Sequence, residues 1–146
     1  MTHLNGDGEL GASFEVVRKY IRGSRSRRLV VGAINDVSAI GALRAFEEAG
    51  RADTCAVIGQ NASPEGRAEL REPNTRLVGS VAFFPERYGP DLIKVSLDIL
   101  NKRPVPPAVF VEHKLVTPTT VEHYYPNDIL MQGGAKAMSA GHARSA

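Results

Sequence analysis

The segment from Leu29 to Gly66 constrains the fold of this chain most strongly, because two short apolar runs flank an amphipathic stretch. Leu29–Ala33 and Thr54–Ile58 have the continuous apolar character of parallel strands covered on both faces. The stretch between them has helical periodicity, with an inner side formed by Ile40, Leu43 and Phe46. Repetition of this β-α-β spacing predicts parallel strands joined by right-handed crossovers. The sequence therefore predicts an α/β fold with a Rossmann-like parallel sheet and flanking helices.

The other elements are predicted from caps, breakers and periodicity. Ser13 is expected to begin the first helix, and Ser63-Pro64 supplies a cap and a first-turn proline for a later one. In chain order the predicted elements are a helix from Ser13 to about Gly23, a helix from Val37 to Ala49, a helix from Ser63 to Pro73-Asn74, a strand Leu77–Ala82, a long helix from Glu86 to Lys102 that buries Ile93, Leu97 and Leu100, and strands at Val109–Val111 and Leu115–Val116. Residues 1–132 form one predicted domain, and the Gly, Ala and Ser content of residues 133–146 predicts a disordered tail.

Composition excludes several classes of function. A net charge of +2 spread along 146 residues predicts no surface for nucleic acid, and the basic run Arg22–Arg28 is expected to be a solvated connector. The single cysteine, Cys55, excludes an internal disulfide and is expected to be a buried thiol. No apolar run is long enough for a membrane helix, and no signal peptide follows Met1, which favours the cytoplasm for the chain as given.

Two polar turns follow the first two predicted strands. Asn35 and Asp36 stand just before the helix that starts at Val37. Either the pair only caps this helix, or one residue caps it while the other faces a ligand, and we expect Asp36 to be mainly the cap. Asn61 follows the next strand and is either a turn former or a second ligand contact. Because the carboxyl ends of parallel strands meet at one edge of a sheet, these side chains are expected to be neighbours there. Two adjacent amides suit a polyhydroxylated ligand better than a charged one.

Phe83 and Phe84 end the third predicted strand at the same edge. An aromatic ring can pack on the C–H face of a sugar, and we expect one of the two rings to contact ligand while the other is buried. Motifs for nucleophilic catalysis, phosphate binding or zinc ligation are missing from the sequence, and His113 is expected at the surface or at a hinge. We therefore expect no catalytic residues, no metal and no cofactor.

Three strings carry a family resemblance. They read V-V-G-A-I-N-D-V-S-A-I-G-A-L-R-A-F-E-E-A-G from Val30, V-I-G-Q-N-A-S-P-E-G from Val57 and G-S-V-A-F-F-P-E-R-Y-G from Gly79. In this order and spacing they resemble the carboxyl-terminal half of type I periplasmic sugar-binding proteins, the ribose-binding class shared with sugar-responsive repressor cores. The resemblance covers roughly residues 10 to 128.

The resemblance implies a fold of two Rossmann-like lobes joined by hinge strands that closes on a sugar. Asn35 then matches a ligand-binding asparagine, Asn61 stands where ribose-like binders usually carry an aspartate, and Phe83 stands where they often carry a glutamine. These two departures suggest a ligand other than ribose. The implied function is sugar binding for an ABC transporter permease by a periplasmic parent protein, with the effector-sensing part of a sugar-responsive transcription regulator, or a non-binding remnant, as alternatives.

Family members have about twice the length of this chain, so the resemblance implies that most of one lobe is missing. It also implies that the helix predicted from Glu86 to Lys102 packs on that lobe, leaving Ile93, Leu97 and Leu100 short of partners. Exposed apolar surface of this kind promotes self-association.

Overall fold

The computed structural model describes residues 1–128, which contain a four-stranded mixed sheet. The tail predicted at residues 133–146 lies outside the described residues. The strands are β1 (Leu29–Gly32), β2 (Cys55–Asn61), β3 (Leu77–Ala82) and β4 (Lys114–Val116), and they lie side by side in chain order. β1, β2 and β3 are parallel, as predicted, and β4 is antiparallel to β3.

Five α-helices precede, connect or follow these strands in the described part of the chain. They are α1 (Leu10–Gly23), α2 (Asp36–Glu48), α3 (Pro64–Leu70), α4 (Tyr88–Leu100) and α5 (Val121–Tyr124), with short 3-10 helices at Ala52–Thr54 and Pro85–Arg87. Ser63 caps α3 as predicted, since its side chain accepts a hydrogen bond from the Gly66 amide. The start predicted for α1 is wrong: Ser13 lies inside the helix, where its hydroxyl donates to the Gly6 carbonyl. None of the helices within residues 1–128 has the length and apolarity needed to cross a membrane.

The hydrophobic core lies on the side of the sheet that faces α1, α2 and α3. The inner side predicted for α2 is confirmed, because Ile40, Leu43 and Phe46 are all buried. Leu43 and Phe46 belong to one hydrophobic cluster with the inward residues of the strands, among them Val57 and Leu77. Cys55 is a buried free thiol in this core, and burial raises its pKa. Its surroundings therefore suppress the reactive thiolate.

The opposite face of the sheet is open. It carries apolar side chains that remain substantially exposed, including Val30 at 77%, Val78 and Leu115. α4 does not cover this face, because its contacts are with the 3-10 helix at Pro85–Arg87. The burial predicted for α4 is accordingly wrong: this helix has no buried residue, and its exposed side chains include Ile93, Leu97 and Leu100. The lack of partners that the family resemblance implied for these three residues is confirmed within residues 1–128.

The position of α4 also explains the direction of β4. A parallel strand requires the preceding helix to pack back across the sheet, and α4 leaves the sheet instead. The chain returns through an exposed connector of residues 101–113 and enters beside the end of β3, so β4 runs antiparallel. The prediction of parallel strands throughout is thus wrong for β4. The strand predicted at Val109–Val111 is also wrong, because these residues are exposed and form no ladder with the described strands.

Candidate functional site

The candidate site lies where the parallel strands β1, β2 and β3 end. Gly32 pairs with Ile58 in the ladder, and Asn35 and Asn61 each come three residues further along the chain from these two. Asn61 in turn pairs with Ala82, the residue before Phe83. On the far side of Ala82 lies Lys114, at the start of β4. The register therefore brings the polar ends of β1 and β2 to the same edge as the aromatic end of β3.

Asn35 is the cap of α2. Its Oδ1 accepts a hydrogen bond of 2.8 Å from the Ser38 amide, and its Nδ2 donates one of 3.0 Å to the Gly8 carbonyl. An asparagine cap contributes about 1 kcal/mol to stability. The half-buried amide keeps one N–H and one oxygen lone pair free of these two bonds. Asn35 thus has a structural role already and limited capacity for a ligand.

Asp36 is neither a cap nor an exposed group, which corrects the expectation that it mainly caps α2. It is fully buried at the first position of the helix. Ser80 Oγ donates to Oδ1 over 2.5 Å, and the Ser63 amide donates to Oδ2 over 2.6 Å. Burial raises the pKa of this carboxyl, while the hydrogen bonds from Ser80 and Ser63 oppose that increase. In this arrangement Asp36 offers no surface to a ligand.

Asn61 presents the most available polar side chain at this edge. It is exposed, and no hydrogen bond joins its amide to another residue among those described. Its φ of 96° lies in the left-handed region, and the next residue, Ala62, also has a positive φ of 47°. Two consecutive residues with positive φ turn the chain sharply out of β2. Asn61 therefore stands at the tip of a strained turn. Its side-chain oxygen and NH₂ group both lack a partner among the described residues.

Phe83 and Phe84 divide between the rim and the core, as the sequence suggested. Phe84 is buried and packs against Tyr124 and Tyr125, with ring centroids 5.9 Å apart in both pairs. Phe83 is half-buried, and the exposed His113 meets its ring edge-on at 4.9 Å. The Phe84 ring therefore presents almost no surface at this edge, whereas the Phe83 ring is partly exposed.

Three residues that sequence reasoning passed over also belong to this edge. Gln60 Nε2 donates to the Ala33 carbonyl over 3.3 Å and so links the ends of β2 and β1. Ser80 is buried and its Oγ accepts from the Ala62 amide over 2.9 Å. Lys114 forms an exposed ion pair of 2.6 Å with Glu112. These three residues could have been identified only from the pairing of the strands, because each reaches this edge beside a residue that is distant in sequence.

A cleft of about 1090 Å³ lies away from this edge, between the amino-terminal segment Met1–Gly8 and β1. It meets the candidate site at the end of β1, from Gly32 to Asn35. Volume alone therefore points to a different place from the ends of β2 and β3. The strand ends remain the candidate site because the register brings the unengaged Asn61 and the half-buried Phe83 to one edge.

The fold is that of type I periplasmic sugar-binding proteins. An ABC transporter periplasmic solute-binding protein from Actinobacillus succinogenes, solved with bound D-allose, superposes with a TM-score of 0.73 at 21% identity over 83% of this chain and 42% of its own. A solute-binding protein from Bacillus halodurans with bound myo-inositol gives a TM-score of 0.67 at 26% identity over 80% of this chain and 39% of its own. The chain therefore spans less than half of these structures.

In sequence, the chain is similar to the ribose import binding protein RbsB of Salmonella typhimurium. It is 34% identical over 86 residues, which are 59% of this chain and 28% of the relative. The RbsB of Salmonella typhi matches to the same extent. No family model matches the chain. The resemblance to this class of sugar-binding proteins thus has support from both sequence and structure.

Proposed function

We propose that this chain binds a neutral, polyhydroxylated sugar of monosaccharide size at the carboxyl ends of β1, β2 and β3. The observation that carries the proposal is Asn61, an exposed amide with no protein partner among the described residues, which pairs in the sheet with Ala82, the residue before the half-buried Phe83. The residues we assign to ligand contact are Asn61 and Phe83, with the remaining capacity of Asn35. We assign Asp36 and Phe84 to the support of the site.

The chemistry of this edge suits hydroxyl groups. An asparagine amide offers donors and an acceptor together, and a sugar hydroxyl needs both. The ring of Phe83 offers an apolar surface to the C–H face of a sugar. The nearby charges of Lys114 and Glu112 neutralise each other, and their hydrogen bond raises the pKa of the lysine and lowers that of the glutamate. A neutral ligand meets no unpaired charge from these two groups.

The relatives support the same class of ligand. Their names specify ribose import for one, and bound D-allose and myo-inositol for two others. We propose that this chain is a segment of a periplasmic substrate-binding protein, that the whole protein delivers its sugar to an ABC transporter permease, and that it binds the sugar without chemical turnover. The chain covers 28% of RbsB, so these properties concern the whole protein.

The test is isothermal titration of the chain with D-ribose, D-allose and myo-inositol. We expect at least one to bind, with a Kd of about 1 mM because a single open edge supplies few contacts. Asn61→Gly should abolish measurable binding, since glycine removes the amide while tolerating the positive φ. Asn74→Gly is the matched control, because Asn74 is also exposed with a positive φ of 62° but precedes β3.

Two results with the uncharged sugars would contradict the proposal. One is that none of the three sugars binds a chain that unfolds cooperatively, which would make this a non-binding segment. The other is an equal loss of binding in Asn61→Gly and Asn74→Gly. Binding would then depend on the conformation of turns in general and not on the Asn61 amide. D-ribose 5-phosphate serves as a charged ligand for comparison. If it binds more tightly than D-ribose, the proposal that the ligand is neutral is contradicted.

A further inference from the structure

A buried carboxyl group lies directly beneath the candidate site. Asp36 is fully enclosed, and its two oxygens are occupied by two different parts of the chain. Oδ1 accepts from Ser80 on β3, and Oδ2 accepts from the amide of Ser63, which caps α3. This group therefore ties the start of α2 to the neighbouring strand and to the turn after β2.

Ser80 extends this connection into the turn itself. Its hydroxyl donates to Asp36 and at the same time accepts a hydrogen bond from the amide of Ala62. The amides of Ala62 and Ser63 are the two N–H groups that follow Asn61. Both are thus held by one unit, the Asp36–Ser80 pair, and both bonds are 2.9 Å or shorter.

The turn needs such support. Asn61 and Ala62 both have positive φ, a conformation that alanine adopts rarely because its Cβ approaches the backbone. Strained backbone of this kind persists only where surrounding groups determine it, and such strain clusters at ligand sites. Besides the strand ladder, three hydrogen bonds restrain this turn. Two are on the amides of Ala62 and Ser63, and the third, of 2.6 Å, runs from Arg67 Nη1 to the Ala62 carbonyl.

The packing around Asp36 leaves room for this one group. A Cβ built on Gly59 of β2 would overlap with Oδ1, and a Cβ built on Gly66 of α3 would overlap with Oδ2. Two elements therefore approach the carboxyl through residues without side chains. The enclosure fits a carboxyl group and would exclude the longer side chain of glutamate.

We infer that Asp36 and Ser80 are positioning residues: together they hold the Asn61–Ala62 turn in its left-handed conformation and thereby present the Asn61 amide at the sheet edge. This inference rests on the proposed function for the identity of the ligand, but the conformation of the turn can be measured without any ligand. In this inference Asp36 supports the turn that carries Asn61 and does not itself contact the ligand.

The experiment compares two buried serines. Ser80→Ala removes the hydroxyl that joins Asp36 to the Ala62 amide. Ser38→Ala is the matched control, because the Ser38 hydroxyl is buried and has no hydrogen-bond partner among the described residues. The readout is the NOE between the amide and α protons of Asn61 and Ala62, which is strong when φ is positive because the two protons are then close. Binding of D-ribose, D-allose and myo-inositol is measured on the same samples.

We expect Ser80→Ala to weaken both NOEs and to weaken sugar binding about tenfold, because the Ala62 amide loses its partner. Ser38→Ala should change neither. Unaltered NOEs in a folded Ser80→Ala protein would overturn the inference. If sugars bind none of the proteins, the proposed function fails, and the NOEs alone still decide whether the pair holds the turn.

Asp36→Asn is the second variant if Ser80→Ala does not fold. The amide keeps an oxygen for the Ser63 amide, but its NH₂ group cannot accept the Ser80 proton. We expect weakened NOEs and a loss of affinity of about threefold, smaller than for Ser80→Ala. Full retention of the turn conformation in Asp36→Asn would show that the carboxyl is dispensable and would also overturn the inference.

Discussion

The two faces of the sheet differ in what covers them. The face toward α1, α2 and α3 is a packed core in which Val57 and Leu77 are fully buried, whereas the other face leaves Val30 77% exposed although its residues are as apolar. α4 repeats the contrast, because it is amphipathic and has no buried residue. Apolar composition thus does not show which surfaces are buried in this chain. The candidate site lies at the polar edge of the sheet, and buried groups of the packed side, Asp36 and Ser80, hydrogen-bond to the turn after β2 there.

The largest expected difference comes from one substitution made on each face. Val57→Ala removes two methyl groups from the packed side of β2 and should lower the free energy of unfolding by about 2 to 3 kcal/mol through lost burial and a cavity. Val30→Ala makes the same change on the open side of β1 and should cost less than about 0.5 kcal/mol. Urea unfolding measures both, and equal losses would contradict the difference between the faces.

Glycines give a second comparison. Gly59→Ala places a Cβ against the Asp36 carboxyl and should cost about 1 to 3 kcal/mol by overpacking. Gly32 lies in the neighbouring strand with no atom within 4 Å of the corresponding position, so Gly32→Ala should be neutral or slightly stabilising. The midpoint of thermal unfolding measures the two. A destabilised Gly32→Ala protein would mean that the open face is covered in solution.

The pH dependence of stability should separate buried from exposed carboxyl groups. Burial raises the pKa of Asp36, so the folded state holds its proton more tightly than the unfolded state. Its contribution to stability is therefore complete below the ordinary pKa of aspartate and is lost as pH rises through the raised value. Asp36→Asn should remove this loss of stability. The free energy of unfolding, measured across the acidic pH range, tests the expectation.

Two other carboxyl groups serve as references for that profile. A hydrogen bond from Arg67 lowers the pKa of Asp128, so its stabilisation is present above the ordinary pKa and is lost as pH falls through the lowered value. Asp128→Asn should therefore change the profile in the opposite sense to Asp36→Asn. The Glu112 carboxyl is exposed and salt-screened, and Glu112→Gln should leave the profile nearly unchanged. Identical profiles for all three variants would contradict these assignments.

The smallest expected effect on stability comes from a substitution on α4. This substitution should instead change the association state of the chain. Leu97 is 52% exposed on this helix, so Leu97→Ser should change the unfolding free energy little. We propose that the exposed apolar surface of α4 and the open face drives self-association, which Leu97→Ser should reduce. Sedimentation velocity over a range of concentrations measures this. A wild-type chain that stays monomeric at every concentration would contradict the proposal.

Local signals predicted much of the fold because caps and periodicity act over a few residues. The Ser63 cap, the strand Leu77–Ala82 and the inner side of α2 all follow from neighbours within one or two turns. The direction of β4 could not be predicted in this way. It depends on where α4 packs, and the amphipathic pattern of α4 does not reveal which surface covers it.

The candidate site was predicted less completely for the same reason. The strand-end positions of Asn35 and Asn61 follow from the β-α-β pattern, and the split of Phe83 and Phe84 follows from alternation. The role of Asp36 does not, because it depends on Ser80, 44 residues further along the chain. Long-range contacts of this kind are fixed by the sheet register, which a single sequence does not state.

The most direct test of the proposed sugar site is an NMR titration of the isotope-labelled chain with D-ribose, D-allose and myo-inositol. We expect the largest amide shift changes at Asn61, Ala62 and Phe83, with smaller ones at Asn35. Shift changes concentrated on the cleft beside Met1–Gly8, or an absence of changes with every sugar, would contradict the proposed site.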